Sequence, residues 1–246
     1  MNWNEIIDKV TPYIVRIETP EGHGTGFLFM YNADRSFCGI ATAYHVVEHA
    51  ERWQQPLRII HYPSNSSAFL PEPDRIIWGD ADRDSAVILV PPQKLKLPEQ
   101  VIPLLPSSSP LPIGVEVGWL GYPAIGPHTL CFFCGNISAR QDVRHAYLID
   151  GVTINGISGG PVIYSTPTDG VRIVGAVTAY IVNRATGESL PGLSVAQDVS
   201  HFHDITARIK SFDEAKAHQP PVVSPNPPPP DAPPPDLSSS SEPTQG

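Results

Sequence analysis

Short runs rich in Val, Ile, Phe and Tyr recur between Gly, Pro and Asn/Asp punctuation at 14–18, 26–30, 38–42, 57–60, 85–90, 115–121, 129–138, 160–164 and 171–181. This spacing is the strongest constraint on the fold. No helix-length segments separate the runs, so the crossovers that a parallel α/β sheet requires are missing and an antiparallel sandwich or barrel is expected. A proline-broken connector, 91–112, would suit a link between two half-domains. Two helices flank the strands. The first is short, with Asn2 or Asn4 as cap, Ile6, Ile7 and Val10 on one face, and Pro12 just beyond it. The second is expected over 201–217, where Phe202, Ile205, Ile209 and Phe212 fall at helical spacing and Lys210 and Lys216 favour the C-terminal end.

Past that helix, eleven of the 29 prolines lie between Pro220 and Pro243 among Ser, Asp and Glu. Such a tail lacks the hydrophobes to offset ordering entropy, and the segment 218–246 is expected to be disordered with a polyproline-II bias. A ligand for an SH3- or WW-like groove is the rarer reading of it. Of the whole chain 41% is hydrophobic, enough for a sizeable core in the body of 1–217. With 16 Lys+Arg against 25 Asp+Glu and no basic cluster, neither a nucleic acid nor an anionic membrane surface is an expected partner. The chain shows no basic-then-apolar leader at its start and no run approaching a membrane span, and its three cysteines make no disulfide framework. A cytoplasmic setting is the expectation.

Three segments carry chemistry. Ile40-Ala41-Thr42-Ala43-Tyr44-His45 delivers a histidine at the end of a small-residue strand, after the Gly24-Thr25-Gly26 strand. Asp84 heads the apolar run Ser85-Ala86-Val87-Ile88-Leu89-Val90, and Ser158 sits in the glycine-rich turn Asn155-Gly156-Ile157-Ser158-Gly159-Gly160-Pro161. Acyl transfer by serine needs a base for the hydroxyl proton, a carboxylate to hold that imidazole, and N–H groups aimed at the developing oxyanion. All three are available, in the order His, Asp, Ser.

In these motifs the sequence resembles the trypsin-like (chymotrypsin-fold) serine peptidases, most closely the disulfide-poor bacterial branch related to the high-temperature-requirement proteases. The resemblance spans roughly 5–215 and includes the 174–178 strand and a closing strand and helix from Leu193. It implies two six-stranded antiparallel β-barrels, at about 12–90 and 113–200, with the site in the crevice between them. It assigns His45 as general base, Asp84 as its orienting carboxylate, Ser158 as nucleophile, and the N–H groups of Gly156 and Ser158 as the oxyanion hole. Asp80 and Asp82 lie close by, but only Asp84 directly precedes the small-apolar strand. Ile157 stands where digestive members carry the aspartate that pairs with a newly cut N-terminus, so activation of that kind is not expected. Val152 stands where Arg/Lys-specific members carry the pocket aspartate. With Val152, Thr153, Ala176, Val177 and Thr178 as lining and Tyr180 at the entrance, small or medium apolar P1 residues are expected, because a basic one would bury an unpaired charge.

The implied activity is endopeptidase cleavage of a protein or peptide substrate without metal or cofactor; a regulatory partner protein encoded elsewhere is one candidate source of its restraint. The rival is a peptidase-fold binding or regulatory module that is silent or partner-gated. Other motif matches weigh less. His45-Val46-Val47-Glu48-His49 fits H-x-x-E-H, but a zinc site of that kind needs a longer helical scaffold than Arg52, Trp53 and Pro56 allow. Gly156-Ile157-Ser158-Gly159-Gly160 fits the G-x-S-x-G elbow, whose parallel α/β framework is missing. Cys131 and Cys134 form a lone C-x-x-C and are read, like Cys38, as buried strand residues.

Overall fold

The computed structural model describes residues 2–126, 128–182 and 189–218, without the side chains of 179–182 and 189–191. Of the expected disordered tail, 218–246, His218 is described as the residue that ends the last helix, and 219–246 lie outside the described residues. Strands β1 (Ile14–Thr19), β2 (Gly22–Tyr31), β3 (Cys38–Thr42), β4 (Leu57–His61), β5 (Ser66–Leu70), β6 (Ile76–Asp80) and β7 (Ser85–Val90) form one sheet in the order β5-β4-β1-β2-β3-β7-β6. Strands β8 (Glu116–Gly121), β9 (Cys131–Gln141), β10 (Ala146–Asp150), β11 (Pro161–Thr166), β12 (Gly170–Val182) and β13 (Ser189–Asp198) close into a barrel in the order β10-β13-β12-β11-β8-β9. Every strand pair is antiparallel. Helix α1 (Trp3–Val10) precedes the strands, α2 (Tyr44–Arg52) follows β3, and α3 (Ser200–Ala217) follows β13.

The fold class is the expected one, with a difference in the first unit. It is a curled seven-stranded sheet with β5 and β6 as its edges, and no ladder joins them. Arg75, just before β6, is 8% exposed and ties the end of β5 to the end of α2, donating to the carbonyls of Leu70 (2.8 Å), of Ala50 in α2 (3.2 Å) and of Gln55 just past it (2.5 Å).

Strand β2 explains why its sequence runs apolar without alternation, since both of its faces are covered. Leu28 points into the curled sheet with Val15, Ile17 and Ile40, whereas Phe27 and Phe29 point outward against Phe202 of α3, at ring separations of 5.9 and 5.4 Å. Ile205 and Ile209 share that buried face of α3, but Phe212 is 63% exposed. At the other terminus Asn2 occupies the N-cap position of α1 without capping it; its amide donates to Glu5 Oε1 (2.7 Å). Trp3 anchors this helix to the barrel by donating from Nε1 to Glu116 Oε1 (2.7 Å) and packing 5.0 Å from Phe132.

The cysteines divide. Cys38 is buried, and its thiol is pushed up to about 12 by that burial, but Cys131 is half-buried and Cys134 exposed, contrary to the buried-strand reading. Strand β9 alternates between the barrel interior and solvent over this stretch, and its interior position is Ile137.

Two buried histidines make stability depend on pH. His61 Nε2 donates to the Pro12 carbonyl (2.8 Å), so its Nδ1 accepts from Ser64 Oγ (2.6 Å); His201 Nδ1 pairs with Ser85 Oγ (2.9 Å). Burial lowers both pKa values below the ordinary 6.5. Between the lowered folded value and 6.5 the unfolded chain binds more protons, so this stabilisation is complete above 6.5 and is lost as pH falls below it. Thermal melts should therefore give a lower Tm at pH 5.5 than at pH 7.5, with His61→Gln reducing the difference; each group can supply at most about 1.4 kcal/mol per pH unit. A Tm that rises on acidification would refute the assignment.

Candidate active site

Helix α2 begins at Tyr44 with Ala43 at its N-cap, a residue whose side chain cannot accept the helix's free N–H groups. The carboxylate of Asp84 does so from 39 residues away. Its Oδ1 accepts from the backbone N–H of His45 (2.9 Å) and its Oδ2 contacts His45 Nδ1 (2.8 Å). An anion at a helix N-terminus is favoured by the helix dipole. The same pair of contacts fixes the imidazole: because a carboxylate accepts, the proton sits on Nδ1 and the Nε2 lone pair is left available as a base.

Asp84 reaches this position through the four-residue loop between β6 and β7, which Asp80 and Ser85 close as the last paired residues. It ends the loop with φ +47°, the left-handed conformation that Asp tolerates better than most residues. Asp80 Oδ1 accepts from the Arg83 N–H (3.0 Å), and Arg83 Nη1 reaches Asp204 of α3 (3.2 Å), so the loop is tied to the C-terminal helix. Ser85, one residue on, is the partner of His201.

Ser158 lies on the turn before β11, in the closed barrel. Within that turn Ile157 is fully buried and its N–H donates to the Ile154 carbonyl (3.2 Å). Among the described residues the N–H groups of Gly156 and Ser158 on either side of it donate to no acceptor. Gly156 has φ +93°, and a Cβ there would stand 2.5 Å from the Tyr122 carbonyl oxygen. Only glycine allows the chain to curl this way. Beyond the serine, the Gly159 N–H donates to the Val177 carbonyl (2.6 Å) and the Val177 N–H to the Gly160 carbonyl (2.9 Å), which locks the turn to β12.

Thr25 joins the two halves. Its hydroxyl donates to the Gly156 carbonyl (2.8 Å) and accepts from the Tyr122 N–H (2.9 Å), and its own N–H donates to the Ser158 carbonyl (2.8 Å). Thr42, three residues before His45, donates to the Thr25 carbonyl (2.7 Å). Both threonines are fully buried. The strand delivering His45 and the turn carrying Ser158 are thus fastened through one residue of β2. The Ser158 hydroxyl itself makes no hydrogen bond among the described residues, to His45 or to any other. Thr25→Val keeps the shape but strands the Gly156 carbonyl and Tyr122 N–H in the interior; it should cost about 2–4 kcal/mol in denaturant unfolding. An unchanged midpoint would show that this junction is not held as described.

No protein-family model matches the sequence, and no curated protein sequence matches it. Solved structures do. A serine endoprotease from Yersinia pestis superposes with TM-score 0.61 at 20% identity, covering 86% of this chain and 67% of that one. Deg5 gives TM-score 0.62 at 20% identity, covering 85% and 94%. An inactive serine-to-alanine mutant of Rv3671c from M. tuberculosis gives 0.57 at 18% identity, covering 88% and 93%. The fold is that of the trypsin-like serine peptidases. It is similar to the high-temperature-requirement proteases.

On this peptidase fold the residues expected to line the P1 pocket are distributed unevenly. Val152 is 50% exposed, Thr178 is buried, and Ala176 and Val177 belong to the hydrophobic core. The side chain of Tyr180 lies outside the described residues. Thr153 donates to Ser194 Oγ (2.6 Å), which donates onward to the Gly151 carbonyl (2.7 Å). Ser194, Thr25 and Thr42 were not singled out from the sequence; a threonine between two glycines in a strand was the one available sign. The remaining motif matches dissolve in this peptidase fold. Glu48 pairs with Arg52 (2.6 Å) and His49 Nδ1 with Gln55 (3.1 Å) on the surface of α2, and the antiparallel sheets leave no place for an α/β-hydrolase elbow.

Proposed function

We propose that this chain is a serine endopeptidase in which Ser158 is the nucleophile, His45 the general base and Asp84 its orienting carboxylate. The reading is supported above all by the turn at Ser158, where the two N–H groups flanking the bonded Ile157 N–H remain without acceptors, beside an imidazole whose Nε2 is left free by Asp84. Ser158 Oγ attacks the scissile carbonyl carbon while its proton passes to His45 Nε2. The Gly156 and Ser158 N–H groups receive the oxyanion, and Asp84 stabilises the imidazolium. Collapse expels the amine with that proton. Water, activated by the same imidazole, then releases the acyl group and restores the serine.

Val152 brings no charge to the P1 site, which favours small or medium apolar side chains over Arg or Lys. Profiling on a peptide library should give cleavage after such residues; dominant cleavage after Arg or Lys would overturn the assignment. The free thiols of Cys38, Cys131 and Cys134 suit the reducing cytoplasm. Among the described residues no helix is long and apolar enough to cross a membrane.

A fluorophosphonate probe tests the nucleophile without any knowledge of the substrate. Labelling of the wild type but not of Ser158→Ala is expected. Equal labelling of both, or of neither, would refute the reading for the protein as it stands and favour a silent or partner-gated module.

A further inference from the structure

An apolar groove of about 680 Å³ lies between the outer face of the curled sheet and the last two turns of α3, away from every residue of the proposed mechanism. Three half-exposed or exposed aromatic side chains, Phe37, Trp78 and Phe212, line it together with Ile76 of the edge strand β6. Trp78 and Phe212 face one another at 6.4 Å, and Ile76 and Phe212 are 57% and 63% exposed. Such a cluster of large apolar groups in contact with water is unusual for a surface without an occupant.

We propose that the groove is the docking site of this chain's own proline-rich segment, residues 219–230. Three observations favour this occupant. First, α3 ends at Ala217, and Lys216 already lines the groove, so the segment starts at its rim. Second, the reach suffices. The helix rises about 1.5 Å per residue, so Ile209 to Lys216 spans about 10 Å, which three or four polyproline-II residues at about 3.1 Å each would cover after the chain turns back. Third, the chemistry matches, since polyproline-II segments dock on aromatic-lined grooves at little entropic cost and 219–230 contains seven prolines. Addition to β6 as a further strand is disfavoured because proline brings no N–H to the ladder. Charge contributes little. The rim lysines Lys94 and Lys216 are already paired with Asp74 and Asp34, so apolar stacking on the three rings carries the contact.

Hydrogen exchange on the full chain tests this. The backbone amides of β6 and of 209–216 should exchange about tenfold faster when the prolines are removed (Pro220→Ser, Pro221→Ser, Pro225→Ser and Pro227→Ser through Pro230→Ser), because a tethered ligand acts at millimolar effective concentration. Phe212→Ser, at an exposed position that the fold does not need, should give the same acceleration, while β8 exchanges unchanged in both. Equal exchange in wild type and the proline variant would overturn the proposal. So would acceleration by the proline changes alone, which would place the segment elsewhere. Protection that disappears on dilution would identify a second copy as the occupant and overturn it likewise.

Discussion

Ser158→Ala is expected to lower the rate of peptide hydrolysis by about 10⁴-fold or more, with the melting temperature unchanged to within a degree or so. The asymmetry follows from the site. The Ser158 hydroxyl bonds to nothing among the described residues, so its removal strands no partner, while the backbone contacts that hold the turn belong to its carbonyl and to Gly159 and Gly160. His45→Ala should cost a comparable factor. Asp84 keeps its bond to the backbone N–H of residue 45 and, being one-third exposed, finds water for the other oxygen, so little stability goes with the imidazole. The double variant should be scarcely slower than either single one, because the two groups act as a unit. Steady-state assays on a peptide substrate read all three, and wild-type turnover by either single variant would remove that residue from the mechanism.

Gly159→Ala is expected to be the most damaging conservative change to the fold. Residue 159 has φ +85°, and a Cβ there would lie 2.1 Å from both the Thr25 carbonyl oxygen and Thr42 Oγ1, and 2.9 Å from the Ala43 nitrogen. Two costs combine: left-handed backbone for a residue with a side chain, and a collision with atoms of the two strands leading to His45. Together they should reach about 3–5 kcal/mol, a fall in Tm on the order of 10 °C, with activity lost through displacement of Ser158. Gly170→Ala separates the two costs. Its φ is +67° but nothing lies within 4 Å of the added carbon, so it should lose only about 1 kcal/mol. If the two variants melt alike, the close approach at Gly159 is not as described.

The strands legible in the sequence were those buried on at least one face: β1, β3, β4, β7, β8, β11 and β12 fall on the runs of Val, Ile and Leu, with boundaries shifted by a residue or two. The run at 26–30 lies within β2, and that at 129–138 overlaps β9. Four strands escaped the pattern, β13 among them, which only the family resemblance supplied as a closing strand from Leu193. β5, with sequence Ser-Ser-Ala-Phe-Leu, and β6, ending in Gly-Asp, are the two edges of the curled sheet, where one flank faces no neighbour and polar residues carry no penalty. β10 is five residues long and takes its identity from pairing with β9 and β13 on either side, information that lies elsewhere in the chain. The first unit was expected to close and instead leaves β5 and β6 as open edges, because whether two edge strands meet depends on how the whole sheet curls, which local sequence does not carry.

For the site, the sequence by itself determined the inventory: a histidine after a small-residue strand, an aspartate before an apolar one, a serine among glycines, in that order, and glycine at the two turn positions that require positive φ. Only the tertiary structure decided how they meet. Asp84 serves both as the remote cap of α2 and as the partner of the imidazole, and Thr25 bridges to Gly156 across 131 residues and to Tyr122 across 97. Such contacts depend on side-chain positions fixed to within a fraction of an ångström. That precision arises when distant strands pack against one another, and the local preferences that a sequence displays do not contain it.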